Sequence, residues 1–417
     1  MSSAGLVDEH AGVAAAHCRP GFLEDPYPTY QAWRESAPLL WCEEFLGGAW
    51  VVARHADVTD VLRDPRFSAR RTGGWPGPAD ADALQRRRFR QLFSRALLFL
   101  DDPDHARVRR ALQAAFRPSA MRELTGFIEQ TAVAMCDGLD QDDGADFMAR
   151  VARPLPARVI ARWMGMEDVD PGVFMAWSES LAVFIGAMQP SLEQTQQAQK
   201  SLLAMAASLE PILARRRTAL GDDLISTLIR AETEGGLQAG PELLAQCAML
   251  LFAGYETSRN LLGNGLRALL CHPAQWQRLQ KDPALLPGAV RELLRFDPPV
   301  QYTARRVSTD LMLHGQWLRR GDAVVVCIAA ANRDPRVFDR PDELDVGRRG
   351  ASSLSFGTGA HACIGAALTQ IEAQAVFRTL LRRYPSLELA GAAAQWNSNA
   401  VYRGLRSLLL RRAAIVA

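Results

Sequence analysis

The chain has 417 residues, with 48 Lys+Arg against 46 Asp+Glu for a formal net charge of +2, and 48% of its residues are hydrophobic. That composition supports a large apolar core and, with no long block of one charge, gives no whole-chain reason to expect nucleic acid. No apolar run is long enough to span a bilayer, and the N-terminus MSSAGLVDEHAGVAAAHC lacks a basic stretch followed by an apolar one, so a cytoplasmic protein without a membrane anchor is expected.

Residues 1–24 read as a mobile N-terminal extension and 25–417 as one domain. DPYPTYQAWRES predicts a short helix after a proline-rich entry, and Leu39–Phe45 with Ala49–Arg54 predicts a hairpin turning at Gly47-Gly48. Arg71 to Asp82, dense in glycine and proline, predicts a loop. From about Asp104 to Leu270 the pattern is helical, broken at Arg117-Pro118, Asp142-Asp143-Gly144 and Glu234-Gly235-Gly236. Val324–Ala330 reads as a strand, and one more helix follows Cys363. With no internal repeat and no low-complexity linker, one large, mostly helical domain is favoured over several. The cysteines, Cys18, Cys42, Cys136, Cys247, Cys271, Cys327 and Cys363, stand singly and odd in number, the pattern of a reduced compartment.

Three segments depart from plain core or plain surface. The predicted helix from about Pro241 to Leu270 is apolar nearly all round at Leu243–Gly254, which implies burial on every side, and then runs through Gly254-Tyr255-Glu256-Thr257-Ser258-Arg259-Asn260. A threonine bonding back one turn and a glycine beside it predict a local kink. An acid next to a hydroxyl there suits proton relay, and a helix that merely surfaces fits equally. Glu292 and Arg295 lie one turn apart before a stop at Asp297-Pro298-Pro299. His105 and Arg109 lie four apart on one helix face, offering donors to anionic groups or a solvated basic surface.

The fourth segment, Ser355 to Leu368, reads SFGTGAHACIGAAL. A zinc site would need more ligands than Cys363 and His361, and a thiol nucleophile at an elbow would want glycine where His361 stands. Gly357, Gly359 and Gly365 match neither the dinucleotide nor the P-loop spacing. A thiolate ligand to iron remains: a helix mouth stabilises the thiolate, and glycines let the backbone pass close to a flat macrocycle.

Phe356-Gly357-Thr358-Gly359-Ala360-His361-Ala362-Cys363-Ile364-Gly365 resembles the F-G-x-G-x-H-x-C-x-G haem loop of bacterial cytochromes P450 at every fixed position. Ala253-Gly254-Tyr255-Glu256-Thr257 resembles that family's A-G-x-[DE]-T, Glu292-Leu293-Leu294-Arg295 its E-x-x-R, and His105 with Arg109 its H-x-x-x-R. Arg348 sits where a third member of a Glu-Arg-Arg cluster is expected.

The resemblance implies a mainly α fold with small β-sheets, haem b lying between the long distal helix and the Cys363 loop. Cys363 would ligate the iron, with Phe356, Gly357, Gly365, Ala253 and Gly254 against the macrocycle. His105, Arg109, His361 and one of Arg305 or Arg306, with Arg305 preferred, would hold the propionates. Thr257 and Glu256 would deliver protons while one oxygen atom of O2 enters a C–H or C=C bond of an apolar small molecule. Leu97, Leu98, Val183, Leu250, Val300, Thr303 and Val401 are the candidate pocket. Electrons would come from NAD(P)H through a ferredoxin and its reductase, docking at Arg107, Arg110 and Arg349. A haem-thiolate isomerase, dehydratase or peroxygenase, or a haem-based sensor, are the alternatives.

Overall fold

The computed structural model describes residues 21–412 except 44, 46, 71–82, 140–143, 188–189 and 392–393. Fourteen α-helices are present among the described residues: α1 Tyr27–Ser36, α2 His55–Arg63, α3 Ala83–Arg95, α4 Asp104–Gln113, α5 Pro118–Cys136, α6 Pro154–Met164 and α7 Pro171–Gly186 in the first half. The second half holds α8 Leu192–Thr218, α9 Leu224–Thr233, α10 Pro241–Cys271, α11 Pro273–Lys281, α12 Leu286–Phe296, α13 Ile328–Ala331 and α14 Ala366–Arg383. Local chemistry accounts for many of the ends. Pro at the first turn opens α5, α6, α7, α10 and α11, a Ser191/Gln194 capping box opens α8, and Gly165 in the left-handed region closes α6.

The strands are β1 Leu40–Cys42, β2 Ala49–Val52, β3 Phe67–Ser68, β4 Ala145–Asp146, β5 Thr303–Val307, β6 Leu311–Leu313, β7 Gln316–Leu318, β8 Ala323–Val326, β9 Leu387–Leu389, β10 Gln395–Trp396, β11 Leu405–Ser407 and β12 Leu409–Arg412. Five of them form one sheet in the order β1-β2-β8-β5-β3, with β2 and β8 parallel. The expected hairpin is present as β1 and β2, paired Leu40 with Val51. The expected strand Val324–Ala330 is shorter: it ends at Val326, and Ile328–Ala331 turns into α13 because its alanines pack fully buried.

The main core gathers around α10, which packs against α3, α6, α7, α8, α12 and α14. A second core, including Phe22, Tyr30, Trp33, Phe45 and Val325, lies on one face of the five-stranded sheet. Phe22 corrects the expected boundary of the N-terminal extension. It is buried, and the carbonyls of Leu23 and Glu24 accept hydrogen bonds from Arg403, so residues 21–24 belong to the packed body. The predicted loop Arg71–Asp82 lies outside the described residues. No helix among the described residues is long and apolar enough to cross a membrane.

Candidate functional site

Between Glu242 and Leu266 every residue of α10 is buried except Leu250, Ala253, Gly254 and Thr257. Those four are spaced i, i+3, i+4 and i+7, so they form one open stripe on a helix otherwise enclosed by protein. Apolar burial on every side was legible in the sequence; the missing layer over one face is a tertiary fact. Gly254 has a packing reason as well, since a β-carbon there would press on Ile160 Cδ1 of α6 at 3.0 Å. The helix stays helical through this point instead of breaking, and Thr257 Oγ1 donates to the Ala253 carbonyl at 3.0 Å.

Glu256 is 1% exposed. Its Oε1 accepts from Arg259 Nη2 at 2.9 Å and from Asn260 Nδ2 at 3.1 Å, while Oε2 has no partner. Burial pushes this carboxyl above the usual range, and Arg259 pulls it back. Arg259 also donates to Glu179 of α7, tying that helix to α10. Sequence reading had no access to Glu179, which lies 80 residues away from Arg259.

The cysteine loop closes on α14. Gly365 caps that helix, and Cys363 N–H donates to the Phe356 carbonyl at 2.7 Å. Gly357 and Gly359 sit at φ of +66° and +72°, where a side chain is strained, and at Gly359 a β-carbon would also meet the Leu62 carbonyl at 3.0 Å. Cys363 presents open surface although protein surrounds it, which is how a side chain lining an interior space behaves. Burial pushes its thiol up, opposed by the backbone N–H groups of Gly365 and Ala366 and by the charge of Arg109. Phe356 packs against the main core beside it.

His105 joins this group: its ring centre is 4.0 Å from that of His361. The His105 side chain is 2% exposed and its Nε2 is buried without a partner. Burial holds its pKa down, with Arg109 adding to the effect against Asp102. Arg109 has no hydrogen-bond or ion-pair partner among the described residues. An orphaned buried nitrogen, an unpaired guanidinium and an open thiol within one cluster fit a bulky group carrying both iron and anionic substituents, which is what haem is. Arg305 is buried on β5 whereas Arg306 donates to the exposed Gly321 carbonyl at 2.8 Å.

On the far side, Glu292, Arg295 and Arg348 meet. Glu292 accepts from Arg295 Nε at 2.7 Å and Nη2 at 2.8 Å, and from Arg348 Nε at 3.1 Å. Of the candidate pocket residues, Leu97 donates its N–H to Gln246 of α10, and Leu98 packs partly into the same core. Val300 and Val401 sit in adjoining chain segments, where Gln301 N–H donates to the Val401 carbonyl at 2.9 Å, and Thr303 is half-buried at the start of β5. Val183 is 42% exposed, one turn beyond Glu179 on α7, and shares no described contact with the others. Arg107 departs from its expected place on a docking face. Both its terminal nitrogens are held by Glu242 of α10, at 2.7 and 2.8 Å, so its charge is neutralised inside the fold. Arg110 and Arg349 are exposed.

The fold and this cluster define a haem-thiolate protein. The family model of cytochrome P450 matches residues 79–398. The chain is 34% identical over 394 residues to the polyketide biosynthesis cytochrome P450 PksS of Bacillus subtilis, covering 93% of this chain and 96% of that one. It is also 34% identical to the cytochrome P450 monooxygenase PikC of Streptomyces venezuelae, over 94% and 92% of the two chains. Among solved structures, P450BioI in complex with acyl carrier protein bearing hexadec-9Z-enoic acid superposes with a TM-score of 0.86 at 30% identity, covering 94% and 99%. The chain belongs to the cytochrome P450 family and is a monooxygenase that uses haem iron, O2 and a redox partner.

Proposed function

We propose that this enzyme inserts one oxygen atom of O2 into an apolar small molecule or acyl chain, and that the open stripe of α10 forms one wall of its substrate pocket. The observation that carries this reading is the gap in packing at Leu250, Ala253, Gly254 and Thr257 in an otherwise buried helix. Haem, when bound, supplies the chemistry of oxygen activation, with the thiolate donating electron density to iron.

The chain's own groups do the rest. Cys363 is the iron ligand, kept receptive by the helix-mouth N–H groups of Gly365 and Ala366. His105, Arg109, His361 and Arg305 would hold the propionates, for which the partnerless His105 Nε2 is a suitable donor. Thr257 offers a hydroxyl on the open stripe, and Glu256, one residue away, holds or yields a proton under the control of Arg259. Leu97, Leu98, Leu250, Val300, Thr303 and Val401 provide the apolar lining. Electrons arrive from NAD(P)H through a ferredoxin and its reductase in the cytoplasm, approaching the Cys363 side near Arg110 and Arg349.

The test is the reduced, CO-bound minus reduced spectrum of the wild type and of Cys363→His. A strongly red-shifted Soret band that the variant loses supports ligation by this thiolate. A band at the position of histidine-ligated haem in the wild type overturns it.

A further inference from the structure

Helix α3, ALQRRRFRQLFSR, carries Arg86, Arg87, Arg88, Arg90 and Arg95 and no acid. Phe89, Leu92 and Phe93 bury one face, and Arg87, Arg88 and Arg90 stand exposed on the other. Along this helix, between it, the C-terminal half of α8 and the first turn of α10, runs a groove of about 660 Å³. Its rim holds Arg87, Arg88, Glu210 and Arg217, and its exposed apolar surface is Leu84 and Pro241, with Leu213 and Leu244 buried beneath. Arg88 pairs with Glu210, and Arg217 pairs with Glu232 at 2.7 Å. Arg87 and Arg90 have no carboxylate partner among the described residues. Leu84 is 70% exposed. The two unneutralised guanidinium groups beside the exposed Leu84 are complementary to an acidic protein surface that carries apolar side chains.

The location selects the partner. Helices α3 and α8 both pack on α10. Leu244 in the groove and Leu250 in the open stripe are six residues apart on that helix, roughly 9 Å along its axis. The end of α3 is locked to the same helix, because Gln246 donates to the Arg95 carbonyl at 2.6 Å and accepts from the Leu97 N–H at 2.9 Å. An electron donor has to approach the thiolate, at the mouth of α14, which packs chiefly on α5, α10 and α12. The groove therefore serves the substrate side.

We infer that this groove docks an acidic carrier protein that delivers the substrate as a thioester, its acidic helix against Arg87 and the neighbouring exposed Arg90 and its apolar side chains over Leu84 and Pro241. The inference rests on the open stripe being the substrate wall, and adds the form in which substrate arrives. A free apolar molecule would have no use for the unpaired cations outside the pocket.

The experiment uses the haem-loaded enzyme with acyl carrier protein bearing a hexadec-9-enoyl chain, and in parallel free hexadec-9-enoic acid. Calorimetry reads carrier binding at low and high salt, and the Soret band reads ligand entry. Expected is loaded-carrier affinity about tenfold above that of the free acid, lost at high salt and lost in R87E/R90E, while that variant binds the free acid normally. R87Q/R90Q gives an intermediate loss, and an unchanged CO-difference spectrum in both variants shows that they fold. No carrier binding to wild type, equal affinity for carrier-bound and free acid, or undiminished binding by R87E/R90E overturns the inference. Carrier binding that R87E/R90E weakens, with no Soret response to either ligand, sustains the docking site and refutes the pocket reading instead.

Discussion

Replacing Glu292 by alanine tests whether the Glu292–Arg295–Arg348 cluster holds the fold together by charge pairing. The carboxylate receives four donors, Arg295 Nε and Nη2, Arg348 Nε and the Asp345 N–H, the last at 3.0 Å. A buried donor left without an acceptor costs about 1–3 kcal/mol, which for several groups would exceed the stability of many domains. The sum is not expected here. Arg295 keeps the carbonyls of Asn332, Pro341 and Glu343, and Arg348 keeps those of Asp339, Arg340 and Glu343. What the variant strands is net positive charge on Arg295, which is 2% exposed. Breaking a buried pair from one side costs about 3–5 kcal/mol, and that is the expected loss. Urea unfolding followed by far-UV circular dichroism measures it, with Glu292→Gln, which retains one acceptor oxygen, falling between wild type and alanine. A loss below about 1 kcal/mol in Glu292→Ala would show that the backbone carbonyls alone satisfy both arginines.

Thr257→Ala is expected to leave haem binding intact and to divert electrons from product to peroxide and water. Product formed per NAD(P)H consumed checks this, and unchanged coupling would remove Thr257 from proton delivery. Glu372 of α14 is fully buried, accepts a hydrogen bond from Ser258 of α10 at 2.5 Å, and burial pushes its carboxyl from 4.5 up to about 8. The folded state therefore keeps a proton that the unfolded chain has already lost, and stability from this group falls as pH rises from about 4.5 to about 8. Glu372→Gln should flatten that part of the melting-temperature profile, and a slope identical to wild type would refute the assignment.

Much of the site was legible because its constraints are local. A cysteine just ahead of a helix start, with glycines at Gly357 and Gly359 where positive φ is required, is written within ten residues. The i, i+3 pairing of Glu292 with Arg295 is likewise a property of helix geometry. Glu372 left a faint signal, a carboxylate four residues after Leu368 on the face of α14 that is buried. Glu179 left none, since nothing near it in the chain predicts an arginine from α10. The strand expected to reach Ala330 stopped early because β-propensity in Val324–Val326 does not extend to the small residues that follow, which pack closely as a helix.

By itself the sequence determined the family and the helical class and marked the Cys363 loop and the Glu256-Thr257 pair as candidates, because these depend on residue types at short spacing. Only the tertiary structure decided which cations remain available and where α10 is uncovered. Arg107 and Arg109 are two residues apart on one helix, yet Glu242 captures the first from 135 residues away while the second, whose charge reaches Cys363, has no partner among the described residues. Arg305 and Arg306 are adjacent, yet the pleat of β5 buries one and leaves the other half-buried. Pairing and burial depend on which distant elements arrive at a surface, and packing alone sets that.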